Sequence, residues 1–517
     1  MVFRESRRGY EMHVGPLRLP QSSYLLAAAL VVGVGGGWGA VLFRLLIAGE
    51  TQLAGRITAL LAPVAGPAAL ALTVGAGGAL AAWIASRFAP EARGHGVPEV
   101  MAAVALAGGV MRPRVIAVKA LASATTIGFG GAAGREGPIV QIGSALGSVL
   151  GQLVRAPAPV VRTLVACGAA AGISATFNAP IGGVFFASEV ILGDFAPRSF
   201  ATIVVASVVA AVVGRSVLGD RPSFDASAFA LVSPRELWLY ALLGVLCAVW
   251  AWGFVKLLYA LEDLADAIRL PATLKGFAGF ALVGALGTVV PQILGVGYEA
   301  MQHVLDGHVG ADRALLLATL KPIATSVTLG AGGSGGVFAP SLFTGAMLGD
   351  AFGRVAHLAF PSWTGPAAAY GLVAMAALFA AASEAPITAI VIVFEMSGDY
   401  RIVLPLMIST VIATVLGRRL LGSTVYEMKL LRRGVDIHAV RRADAFDRPT
   451  IVAQADEPVA DVAARLPDDV TAVAVVDRGR IARIVDAAAL SDAMAASPSI
   501  PIGELVRSAR NGALRQT

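Results

Sequence analysis

Residues 21 to 430 hold 44 charged side chains in 410 positions, whereas the first 20 residues hold 6 and the last 87 hold 24. Apolar runs follow one another through this charge-poor middle, at about 24–47, 66–88, 199–217, 237–261, 277–294, 366–382 and 402–417. A chain with 56% hydrophobic and 14% charged residues, against roughly 25% charged in soluble domains, has too little polar surface to face water. The middle is therefore read as membrane-embedded helices, which excludes a disordered chain, a collagen or a disulfide scaffold.

The flanks set a topology. Arg4, Arg7, Arg8 and Arg18 precede the first apolar run, and Arg418, Arg419, Lys429, Arg432 and Arg433 follow the last. Cytoplasmic flanks collect Lys and Arg, so both termini are predicted to be cytoplasmic, and the net charge of +6 is assigned to topology and not to nucleic acid. Tyr24 to Ile47 is too long for a signal-peptide core and reads as a true span. The predicted organisation is a cytoplasmic arm over 1–20, a membrane domain over 21–435 and a small module over 440–517. Cys167 and Cys247 sit in apolar runs and read as buried hydrophobes. The Ala/Gly-rich, Lys-poor composition points to a bacterial inner membrane.

Several runs are too short to span. Those near 101–110, 115–130, 138–154 and 180–193 are bounded by Gly or Pro and fall below the ~20 residues a bilayer crossing needs. Broken helices at that depth must be surrounded by protein or line a cavity.

The chain also repeats itself. Gly134, Pro138, Gly143, Gly147 and Gly151 map onto Gly336, Pro340, Gly345, Gly349 and Gly353 at a constant offset of 202, and Gly128, Gly130 and Gly131 onto Gly330, Gly332 and Gly333. Downstream, Ala179-Pro180-Ile181 with Glu189 matches Ala385-Pro386-Ile387 with Glu395. The halves run over about 24–217 and 237–422. Duplicated halves with interrupted helices at corresponding places point to a binding site near the membrane midplane. The glycines spaced by four read either as part of that pathway or as close helix packing.

Pro138 and Pro340 each follow a Gly-rich loop and open an apolar helical stretch, where proline suits the first turn. Each helix N-terminus presents free N–H groups and a positive dipole end, the makings of an anion site. Glu136 lies at the first of these mouths, in Gly134-Arg135-Glu136-Gly137-Pro138, and an intramembrane carboxylate is functional by default. It would compete with a permeant anion for the same N–H groups. The alternative is a structural partner of Arg135 or Lys119.

The motifs Gly94-His95-Gly96-Val97-Pro98, Gly134-Arg135-Glu136-Gly137-Pro138 and Gly336-Val337-Phe338-Ala339-Pro340, with Tyr426 in Ser423-Thr424-Val425-Tyr426, together resemble the CLC family of chloride channels and proton/chloride antiporters over about 20–435. The resemblance implies an all-α polytopic fold, an inverted repeat of tilted and half-spanning helices, and a homodimer with one pore per subunit. It implies that Glu136 is the gate and that the N–H groups of Arg135, Glu136 and Gly137 form an external anion site. A central site would use the N–H groups of Val337 and Phe338 and the Tyr426 hydroxyl. Neutral donors of this kind replace hydration without trapping the ion. Lys119 matches a family lysine that tunes the field near the pore; it also reads as a snorkelling lysine at a helix end. Chloride is the implied ligand, and no cofactor is implied.

Two positions depart from the pattern. His95 stands where the family usually has a serine that caps the central site; imidazole can donate a hydrogen bond or become cationic, which would alter anion preference, or it can turn away onto a backbone carbonyl. Val190 stands where antiporters often carry a second, cytoplasm-side glutamate. On that ground the sequence reads first as passive anion conduction, with proton-coupled chloride exchange as the alternative. A membrane ligand sensor acting through the tail is a third reading. Glu189, Glu395 and Glu384 are expected to be structural, the first two near helix C-terminal ends facing other charges.

In the tail, Thr450–Val452, Ala472–Val476 and Ile481–Val485 read as strands, Asp477–Arg480 as a turn, and Val459–Leu466 and Ala487–Ala495 as helices. The order resembles a single CBS domain, but the residues that grip a nucleotide ribose in such modules are not found after Val485, so a stabilising or assembly role is expected. Gly330-Ala331-Gly332-Gly333-Ser334-Gly335 matches a dinucleotide fingerprint in letters but lacks its strand and helix context. His303, His308 and His357 lack metal-like spacing. No nucleophile constellation stands out, and no enzyme activity is expected.

Overall fold

The computed structural model describes residues 2–6, 9–14, 17–220, 224, 231–437, 450–466, 472–477, 480–486, 490, 494 and 499–504. The chain divides into two compact units, Met1–Val100 with Gly108–Thr424, and Met101–Ala107 with Val425–Thr517. The arm expected over 1–20 contains strands β1 (Val2–Ser6), β2 (Gly9–Val14) and β3 (Leu17–Leu19) in one antiparallel sheet.

Eight helices follow: α1 (Gln21–Ala65), α2 (Ala68–Phe88), α3 (Val97–Leu106), α4 (Arg114–Gly128), α5 (Glu136–Leu153), α6 (Ala158–Phe177), α7 (Pro180–Phe186) and α8 (Pro197–Leu218). A second series matches them in order: α9 (Leu237–Ala267), α10 (Ala272–Val289), α11 (Tyr298–Leu305), α12 (Ala311–Gly330), α13 (Phe338–Ala359), α14 (Ala367–Ser383), α15 (Pro386–Ser397) and α16 (Val403–Leu421). Among the described residues, seven helical segments are long and apolar enough to cross a bilayer, while α3, α14 and α15 are apolar but shorter. The chain is a multi-pass, all-helical membrane protein in this part.

Two apolar runs were placed differently by sequence. The first was expected to end near Ile47, but α1 has 45 residues and at 1.5 Å per residue is about 67 Å long, roughly twice the hydrocarbon thickness. The run read as 277–294 is shifted to Ala272–Val289, because Pro291 opens a separate short turn.

The two series are tied by pairs of repeat mates. Gly134 and Gly336 exchange backbone hydrogen bonds, N to O, at 2.8 and 2.7 Å, an isolated antiparallel pair. The Ser334 N–H donates to Thr126 Oγ1 at 3.0 Å, and in the mirrored position the Ala132 N–H donates to Thr328 Oγ1 at 3.1 Å. An antiparallel exchange between equivalent residues is what a pseudo-two-fold axis produces, the signature of an inverted repeat.

The glycines spaced by four are packing residues. A Cβ on Gly143 would lie 2.2 Å from the Gly168 carbonyl oxygen, and one on Gly147 2.0 Å from that of Leu164. In the second half Gly345 and Gly349 meet the carbonyls of Ala374 and Tyr370 at 2.3 and 2.2 Å. These small residues let α5 lie against α6 and α13 against α14 with backbones nearly touching, the way membrane helices gain contact without a hydrophobic drive between them.

The second unit contains α17 (Val425–Leu431), α18 (Val459–Ala464) and a sheet ordered β4 (Thr450–Gln454), β5 (Ala472–Asp477), β6 (Arg480–Asp486). β4 runs parallel to β5 through the α18 crossover, and β5 runs antiparallel to β6. Val459, Val462, Val473, Val475, Leu490 and Ile502 form its core. The centre of the expected turn, residues 478–479, and most of the expected helix at 487–495 lie outside the described residues.

Candidate functional site

The helices α5 and α13 begin at Glu136 and Phe338, which are repeat mates, so the two prolines fall at the third helical position. The Gly134–Gly336 pair brings both helix mouths together. Gly137 sits where only glycine fits: a Cβ there would lie 2.0 Å from the His95 carbonyl oxygen and 3.1 Å from Gly336 Cα. The first, second and third Gly/Pro motifs thus meet at one point in the first unit.

Glu136 is buried, with 1% of its surface exposed. Its Oε2 accepts the Ala339 N–H at 3.3 Å, so the carboxylate of one half rests on the helix N-terminus of the other. Its Oε1 accepts the Tyr298 hydroxyl at 2.9 Å. Arg135 Nε lies 3.9 Å from Oε1, at the edge of an ion pair, and the guanidinium stacks over the Tyr298 ring at 4.7 Å. A carboxylate in this position does what a small anion would do there, accepting from N–H donors at a positive helix end.

Val337 and Phe338 are buried at the start of α13. The Phe338 ring packs against Phe379, Phe177 and Phe186 at centroid distances of 4.0, 5.1 and 6.3 Å. The mate of the charged Glu136 is therefore an aromatic ring in an aromatic box. His95 is buried, with its ring 6.3 Å from that of Tyr259. Tyr426 lies in the second unit, buried in α17.

Lys119 does not snorkel. It is 0% exposed, and its Nζ donates to the Ala92 and Gly94 carbonyls at 2.9 and 2.8 Å, fixing the loop that carries His95. Its repeat mate Lys321, which sequence reasoning passed over, is equally buried. Lys321 donates to the Ile293 and Gly295 carbonyls at 2.9 and 2.7 Å, fixing the loop that leads to Tyr298.

Glu189 and Glu395 each face a helix N-terminus of the opposite half, and Glu395 also interacts electrostatically with Arg215, a charge of the kind expected. Glu189 accepts from the N–H groups of Ile387 and Thr388 at the start of α15, and Glu395 from those of Ile181 and Gly182 at the start of α7. Glu384 ends α14 in a left-handed conformation and pairs with Arg418 at 2.7 Å. Val190 is buried in the π-helical turn Ala187–Leu192.

Tyr298, Lys321 and the Ala339 N–H are the parts of the site that sequence reasoning missed. The first two were signalled: Gly295-Val296-Gly297-Tyr298 repeats Gly94-His95-Gly96-Val97 at an offset of 201, and Lys321 repeats Lys119 at 202. No cluster of metal-ligating side chains occurs among the described residues.

An inverted repeat of interrupted helices, with a buried carboxylate seated across two helix N-termini, defines a membrane protein of the anion-transport class. Residues 77–418 match the model of the voltage gated chloride channel family. The chain is 34% identical over 345 residues to a ClcB-like protein of Ralstonia nicotianae, named for chloride channels, covering 66% of this chain and 80% of that one. It is 33% identical over 374 residues to the H(+)/Cl(-) exchange transporter ClcA of Salmonella gallinarum, covering 71% and 79%. A crystal structure of a slow cyanobacterial Cl-/H+ antiporter superposes with a TM-score of 0.74 at 29% identity, over 79% of this chain and 97% of that one. The chain belongs to the voltage gated chloride channel family, the CLC family, and is an anion transporter of that family. The family match ends before the tail.

Proposed function

We propose that the chain exchanges chloride or a similar small anion for protons, through one pathway per subunit of a homodimer in a bacterial inner membrane, with Glu136 as the gate. The observation that carries this reading is the seat of the Glu136 carboxylate on the Ala339 N–H. A group that blocks an anion by taking its donors, and that loses its charge on protonation, links proton uptake to anion passage. The ClcA relatives and the cyanobacterial structure are named as exchangers of chloride and protons, which favours coupling over the channel reading.

Arg135, Glu136 and Gly137 N–H groups would serve the external site once the carboxylate leaves. Val337 and Phe338 N–H groups would serve the central one, with His95 setting anion preference. Lys119 acts by holding the His95 loop. The tail over 440–517 is read as a CBS-like assembly module.

Val190 supports the second reading, passive conduction, because a buried valine cannot relay protons. Liposomes containing the purified chain decide between the two. An outward chloride gradient, with chloride and pH recorded together, should drive protons inward against their own gradient. Chloride efflux without proton movement would leave the channel reading standing.

A further inference from the structure

We propose that Tyr298 is a positioning residue for the gate: its hydroxyl latches the Glu136 carboxylate in the closed position, and Arg135 stacked on its ring holds the latch in register. The inference rests on the reading of Glu136 as the gate and deepens it.

The carboxylate has two holds. The bond from Ala339 N to Oε2 is long, 3.3 Å, and is made by a donor that an arriving anion would inherit. The bond from the Tyr298 hydroxyl to Oε1 is 2.9 Å and goes to the other oxygen. Removing the hydroxyl would weaken the plug and leave every backbone donor in place for the anion.

Tyr298 cannot easily swing away. It is the first residue of α11, after Gly297 at φ +93, a left-handed conformation glycine adopts without strain. Lys321 pins the carbonyls just upstream. Arg135 lies over the ring at 4.7 Å and the Phe224 ring packs against it at 5.8 Å. A donor fixed on its ring and its backbone holds a carboxylate with little added cost in side-chain freedom.

The repeat shows that the fold does not require a polar pair here. The mates of Tyr298 and Glu136, at offsets of 201 and 202, are Val97 and Phe338. Where the Tyr298–Glu136 pair sets a hydroxyl of the second half on a carboxylate of the first, the mated positions Val97 and Phe338 carry two apolar side chains. The bland account is a packing aromatic whose hydroxyl takes the nearest acceptor, as buried tyrosines do.

The test compares the wild type, Tyr298→Phe, Glu136→Gln and the double variant as full chains, by chloride efflux from liposomes and by calorimetric chloride titration. Phe keeps the ring under Arg135 and deletes only the hydroxyl. Loss of one hydrogen bond to the carboxylate should speed efflux and tighten chloride binding by about 10-fold or more. In the Glu136→Gln background the same change should alter neither. Unchanged efflux and binding in Tyr298→Phe, or an equal change in both backgrounds, would overturn the latch. Should the Phe variant fail to fold, Tyr298→Leu carries the same comparison. If Glu136→Gln alone leaves efflux and proton movement at wild-type values, the gate reading falls and the latch with it.

Discussion

Glu189 and Glu395, 206 residues apart, cap each other's repeat. The Glu189 carboxylate accepts from the Thr388 N–H at 2.8 Å and the Thr388 hydroxyl at 2.6 Å, and Glu395 accepts from the Gly182 N–H at 2.7 Å and the Ile181 N–H at 3.0 Å. The helices they cap, α15 and α7, both begin with proline after alanine, so neither has a side-chain cap of its own. A carboxylate from the opposite half fills that role and locks the duplication closed.

Truncating either acid leaves N–H groups without an acceptor. Glu189→Ala and Glu395→Ala should each cost about 1.5–3 kcal/mol, the range for a hydrogen bond to a charged group, with Glu189→Ala the costlier because it also loses the Thr388 hydroxyl. Thermal unfolding of the purified protein measures this. If chloride efflux per folded molecule collapses in either variant while stability holds, these acids belong to the transport pathway and not to the scaffold.

The buried lysines make a matched pair of clamps with different clients. Lys119 holds the loop before His95 and Lys321 the loop before Tyr298, each through two carbonyls. Lys321→Met should release the Tyr298 loop and raise chloride efflux in the same direction as Tyr298→Phe, and the two should not add, since residues in one network are coupled. Lys119→Met should leave that rise absent. Efflux measured for the two single variants and for Lys321→Met combined with Tyr298→Phe checks all three statements. Additive effects of Lys321→Met and Tyr298→Phe would separate the clamp from the gate.

His95 should set anion preference. Its side chain is buried beside Tyr259 in the loop that Lys119 pins, and its carbonyl meets Gly137 at the first residues of α5. His95→Ser exchanges an imidazole for a small neutral hydroxyl, and the ratio of chloride to nitrate flux in liposomes should change severalfold. Equal ratios would mean that the imidazole faces away from the ion.

Much of this was legible in the order of residues. The offset of 202 marks Gly134 and Gly336 as mates, and a carboxylate in an apolar helix mouth singles out Glu136. What escaped is pairing across two hundred residues. Nothing local in Thr126 or Thr328 says that each holds the other half's loop. The caps that Glu189 and Glu395 form escaped because their helix positions, not their partners, can be read from sequence. Tyr298 escaped because a tyrosine near Gly-x-Gly is unremarkable until its hydroxyl is found on Glu136. Glu236 looks like an ordinary acid before a helix, yet its Oε1 accepts the Tyr370 hydroxyl and the Gly365 N–H at 2.8 and 2.7 Å. The β1–β3 sheet was missed because strands of three to six residues leave too little alternation to read.

The tightest constraint on the site is backbone against backbone, and it can be tested with one methyl group. A Cβ on Gly137 would sit 2.0 Å from the His95 carbonyl oxygen, with Gly336 Cα 3.1 Å away on another side. Neither neighbour is a side chain that could turn aside, so Gly137→Ala forces apart the loop of the first motif and the mouth of α5. Overpacking of this kind costs about 1–3 kcal/mol or more, and here it would also displace the N–H donors. Gly253, inside α9 with nothing within 4 Å of its Cβ position, is the matched control. Gly253→Ala should be neutral or gain up to about 1 kcal/mol from helix propensity. Thermal unfolding and chloride efflux of the two variants make the comparison. A Gly137→Ala protein as stable and as active as Gly253→Ala would mean that the three motifs do not meet as tightly as their backbones indicate.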